Sequence, residues 1–218
     1  MPHSEWDIAT AAVADHADQL RQMATHGEIY AWAKEHDLTT RTLFPKVKAQ
    51  LRKQLGIDYN SLREATNEQR AEQLAAAAAD APEIVLWAAG DDEAGTFAIC
   101  NDEGEVLWYS TFHPNDRLYK SGDQSSASTS AAEKAVYLAG QARRESGDID
   151  GVRLTLRVSD HRLDTAIVTA AGVFARVLVA VDVTSEDNPA LEWCRAPGFK
   201  HWREARLSAL ITGAEVRP

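Results

Sequence analysis

The chain has 218 residues, 44% of them apolar, with only two cysteines and a formal charge of −10. That length and apolar share support one large domain, or a medium one plus a small one, with real cores and no disulfide framework. Cys100 and Cys194 lie too far apart, and lack the partners, for a zinc ribbon. The acidic total excludes binding of nucleic acid over the whole surface, because phosphate contact depends on clustered lysine and arginine.

Acids stand at Glu5, Asp7, Asp15 and Asp18, and no apolar run approaches about 18 residues. Neither a signal peptide nor a membrane span is therefore expected, and the location expected is cytoplasmic. Residues 4 to about 25 carry apolar residues at near-helical spacing, with Ser4 as N-cap. Residues 26–56 predict a short helix through Glu35, a break at "HDLTT", and a second helix with Pro45 at its start and Gly56 near its end.

From Arg41 to Arg63 there are six basic residues (Arg41, Lys46, Lys48, Arg52, Lys53, Arg63) against one acid, Asp58. The outline of 26–63 is that of a helix-turn-helix, in which Lys46, Lys48, Arg52 and Lys53 would contact phosphates. The alternative is an ordinary solvated helix face. A further helix is expected to start at a capping box, Thr66 with Gln69, to run through alanines 75–79 and to stop at Pro82. Residues 1–81 then form a small all-α domain and 82–218 a second domain.

After Pro82 the pattern turns to strands. "EIVLWAAG" (83–90), "GTFAICND" (95–102) and "EVLWYSTF" (105–112) are short runs rich in β-branched and aromatic residues, joined by tight turns. A polar loop leads to a helix over 129–145, an alternating strand over 151–158, a helical stretch over 161–172, a strand over 175–183 and a helix from about Asp187. The all-apolar run 177–181 predicts a strand covered on both faces. The order β-β-β-α-β-α-β-α implies a mixed sheet flanked by helices. The scattered histidines form no ligand set, and His113 and His161 are expected at the surface.

This order, with "SSASTSAAEKAVYLAGQAR" (125–143) leading into a helix that carries one glutamate and "RLTLRVSDHRL" (153–163) ending a strand in Ser-Asp, resembles the ribonuclease H-like superfamily. That superfamily includes ribonuclease H, retroviral-type integrases, transposases and Holliday-junction resolvases. The resemblance covers residues 83–200 and implies a five-stranded mixed sheet with a two-metal site. Two Mg²⁺ or Mn²⁺ ions held by carboxylates would activate water and stabilise the leaving oxygen of a phosphodiester. The substrate implied is RNA in an RNA·DNA hybrid, with branched DNA as the neighbouring option.

By the same resemblance Glu133 is the helix glutamate, Asp160 the fourth-strand aspartate, and Glu192 in "NPALE" the last acid, with Asp187 as competitor. Ser159 and Asn188 would lie against the nucleic acid. The first strand departs from the pattern, because Ala89 stands where the first metal-bridging carboxylate is expected. Either Asp91 or Asp92 takes over from the turn, or the domain is an inactive relative, or Ala89 is a deliberate change. Two functions are left, a metal-dependent nuclease and a non-catalytic scaffold that binds nucleic acid or protein. Convergence of Asp91, Glu133 and Asp160 separates them.

Overall fold

Ser4 opens the first helix, α1 (Glu5–Asp15), by accepting the Asp7 N–H while the Asp7 carboxylate accepts the Ser4 N–H. The expected single helix over 4–25 breaks at His16, after which α2 (Ala17–Gln22) follows. The computed structural model describes residues 4–147, 149–184 and 187–211. The chain divides into two units, 1–71 and 72–218.

The first unit continues with α3 (His26–Glu35), capped by Thr25, and α4 (Phe44–Gln50), with Pro45 in its first turn. A wider helical turn, Leu51–Leu55, stops at Gly56 in the left-handed conformation. Its core is made of Val13, Leu20, Ile29, Trp32, Val47 and Leu51. Helix α5 (Tyr59–Ala77) starts well before Thr66, and the Asp58 carboxylate accepts the N–H groups of Asn60 and Ser61. The predicted Thr66 cap is therefore a mid-helix residue whose hydroxyl bonds back to the Leu62 carbonyl.

The second unit holds β1 (Glu83–Asp91), β2 (Thr96–Asn101), β3 (Val106–Thr111), α6 (Gln124–Glu145), β4 (Val152–Val158), α7 (Thr165–Ala175), β5 (Val177–Val183) and α8 (Ala190–Cys194). The sheet order is β3-β2-β1-β4-β5. Strand β2 is antiparallel to both β1 and β3, while β4 and β5 run parallel to β1. Alternation along β1 and β4 sends Ile84, Leu86, Leu154 and Leu156 into a core with the alanine face of α6. The opposite face at β1 and β2 packs Trp87, Ala89, Ala98 and Cys100 against Ala190 and Cys194 of α8.

Two helix starts and the burial of one strand differ from expectation. Helix α6 begins at Gln124, five residues early, because the Asp123 carboxylate accepts the Ser126 N–H. Helix α7 begins at Thr165, four residues late, because the Asp164 carboxylate accepts the Ile167 N–H. The apolar strand β5 is an edge strand: only Val177 is buried, and Leu178, Ala180 and Asp182 face solvent. Among the described residues no helix is long and apolar enough to cross a membrane.

Candidate functional site

Parallel β1 and β4 end side by side against the first turns of α6. This approach is close enough that a Cβ on Gly90 would lie 2.4 Å from the Ala127 carbonyl oxygen, so only glycine fits at that point of β1. A cavity of about 370 Å³ opens at these ends. Ala89, Gln124, Ser128, Asp160, Arg162 and Asn188 are among its lining.

Gln124, Ser128, Asp160, Arg162 and Asn188 are each engaged with protein, and Ser159 and His161 line the cavity beside them. Asp160 Oδ1 accepts the Arg162 backbone N–H at 2.9 Å and its Nε–H at 3.1 Å, and Oδ2 accepts the Ser128 hydroxyl at 3.1 Å. Burial works to raise the Asp160 carboxyl, but these donors and the Arg162 charge outweigh it and hold it below the usual range. Gln124 donates through Nε2 to the Gly90 carbonyl at 2.7 Å and to the Ser128 hydroxyl at 3.0 Å, while its Oε1 accepts the Asp92 N–H at 3.3 Å. Asn188, 4% exposed, donates to the Ala88 carbonyl at 2.9 Å and accepts the Ala190 N–H at 3.0 Å. These bonds tie the ends of β1 and β4 and the starts of α6 and α8 into one neutral network.

The expected acids do not meet there. Glu133 is exposed on α6 and lines a separate groove with Trp108, Tyr137, Phe174 and Trp202. It follows Ser128 by five residues, about 7.5 Å along and about 140° around the helix, so it cannot share Ser128's direction. Asp91 caps the β1–β2 turn, accepting the N–H groups of Glu93 and Ala94, with Arg195 Nε 3.6 Å away. Glu192 and Asp187 are exposed and do not line the cavity, whereas Asn188 and Ser159 do. The convergence of Asp91, Glu133 and Asp160 is thus not observed, and Gln124, Ser128 and Arg162 take the places facing the cavity.

This donor set does not fit two Mg²⁺ or Mn²⁺ ions. It offers one carboxylate, and the adjacent Arg162 already offsets its charge. Among the described residues, no group of three or more His, Cys, Asp or Glu is arranged to hold a metal.

In the first unit, Lys46 is paired with Glu5, Lys48 Nζ lies 5.6 Å over both the Phe44 and Tyr59 rings, and Arg52 lies 3.8 Å from Asp58. Arg41, Arg52, Lys53 and Arg63 are exposed. The roles of Gln124 and Ser128 were missed in the sequence reading because the helix start was misplaced, and the signal was Asp123 three residues before Ser126. No family model, no curated protein and no solved structure matches this chain.

Proposed function

We propose that the second unit is a ribonuclease H-like domain that works by binding and not by metal-dependent hydrolysis. Its strand order and directions are compatible with that fold. The observation that carries the reading is the cavity at the strand ends, where Ala89, Gln124 and Asn188 are uncharged and Asp160 is engaged by Ser128 and Arg162. Two divalent cations about 3.5–4 Å apart need several carboxylates to offset their repulsion, and this site presents one. The partner we assign is nucleic acid, contacted through the exposed cations Arg41, Arg52, Lys53 and Arg63 of the first unit.

The test incubates the chain with labelled RNA·DNA hybrid, duplex DNA and a four-way junction in Mg²⁺ and in Mn²⁺, reading both cleavage and binding. The reading expects no metal-dependent cutting. It also expects binding that weakens as salt rises and weakens further in Arg52→Ala/Lys53→Ala. Metal-dependent cutting that disappears in Asp160→Asn would restore the nuclease, and absence of binding at low salt would remove nucleic acid as the partner.

A further inference from the structure

Strand β5, "VLVAVDV", ends the sheet with its outer edge unpaired among the described residues. Arg176 accepts the Val152 N–H and Thr184 donates to the Val158 carbonyl, so the even-numbered backbone groups serve β4. With a two-residue period, Val179, Val181 and Val183 direct their N–H and C=O groups outward, whereas Val177 is 1% exposed and its carbonyl lies close to Gly172 of α7. Leu178 is 36% and Val183 47% exposed. The devices that protect an edge are missing: the strand has no lysine, no proline and no bulge. Its one charge, Asp182, lies 3.9 Å from Arg157.

We propose that β5 pairs antiparallel with β5 of a second copy about a two-fold axis at Ala180, joining the two sheets into one. This goes beyond the reading of the cavity and does not depend on it. In that register Val177 faces the second copy's Val183, Val179 faces its Val181, Leu178 faces its Asp182, and Ala180 faces itself. The two Val179–Val181 pairs have accessible outward backbone groups on both sides, so they exchange about four hydrogen bonds across the edge. The charges fit as well. Arg157 lies beside Asp182 and Arg153 beside Leu178 in the β4–β5 register, so each Asp182 lies in a row with its own Arg157 and the second copy's Arg153. The two Asp182 side chains are four residues apart along the ribbon, about 13 Å. A seven-residue edge is small against a standard interface, so the association is concentration-dependent.

Oxidative cross-linking of full-length variants, each with one added cysteine, tests the register. Residues at the axis form a non-hydrogen-bonded pair with Cα atoms about 4.5 Å apart, within reach of a disulfide. Ala180→Cys is expected to cross-link to itself. Leu178→Cys and Asp182→Cys are expected to do so only when mixed. The native thiols are buried and do not compete. By sedimentation velocity, Val181→Pro, which removes an outward N–H and leaves the β4 bonds in place, is expected to weaken self-association about tenfold or more. Ala180→Lys, at an exposed position, is expected to weaken it without affecting folding. A chain that stays monomeric up to hundreds of micromolar, or one in which Leu178→Cys alone cross-links and Ala180→Cys does not, overturns the proposal.

Discussion

Asn188→Asp tests whether amides hold the strand-end cavity in place of carboxylates. The wild-type side chain is 4% exposed and donates to the Ala88 carbonyl at 2.9 Å. The substitution keeps the acceptor for the Ala190 N–H but removes the donor, leaving a buried carbonyl unpaired at a cost of about 1–3 kcal/mol. It also points an acid at that carbonyl, and burial then favours the neutral form. The introduced carboxyl would hold its proton in the folded state to higher pH than in the unfolded chain. More protons are then bound folded than unfolded, so the variant's stability falls as pH rises above about 4. At low pH the protonated acid can donate to Ala88 and recover part of the bond. The total expected loss is about 2–4 kcal/mol at neutral pH and less near pH 5. Urea denaturation followed by circular dichroism at both pH values measures it, and millimolar Mg²⁺ is expected to leave the gap unchanged. A gap below about 0.5 kcal/mol at both pH values would refute the reasoning, because so small a loss means that the buried bond is not being used.

Two further outcomes follow from buried contacts of the same unit. Lys134 Nζ lies 2.6 Å from Asp116 and over the Phe97 and Phe112 rings. Burial would raise the Asp116 carboxyl, but Lys134 and the N–H groups of Tyr119 and Leu118 hold it at about 2. Its stabilisation is complete above the unfolded value of about 4 and is lost as pH falls toward 2. Lys134→Met is expected to cost about 3–5 kcal/mol in urea denaturation at neutral pH, and to move acid unfolding to higher pH. Gly90→Ala would drive a Cβ into the Ala127 carbonyl at 2.4 Å, and is expected to lower stability by about 1–3 kcal/mol in the same assay.

Much of the secondary structure was legible because local chemistry sets it. The Ser4 cap, Pro45 at a helix start, Gly56 at a helix end and the alternating 152–158 strand each act within a few residues. The mixed sheet was legible from the order of elements, since β-β-β-α-β-α-β leaves few ways to bury one face of each. The candidate site was less so. Ala89, Ser159 and Asp160, assigned by resemblance to the ends of β1 and β4, and Asn188, assigned to the start of the last helix, all line the cavity. Glu133 was assigned by resemblance alone; it lies five residues and about 140° around α6 from Ser128, so it lines a different groove.

The amino-acid sequence by itself determined the character of each segment and the absence of a carboxylate at Ala89. Which groups face one another across separate elements was decided by the tertiary structure alone. The Gln124–Ser128–Asp160–Arg162 network and the Asn188–Ala88 bond join residues as much as 100 positions apart. The exposure of β5 was decided there too. An apolar strand reads the same whether a neighbour covers it or not, and only the packing of the sheet shows that, among the described residues, no strand pairs with its outer edge.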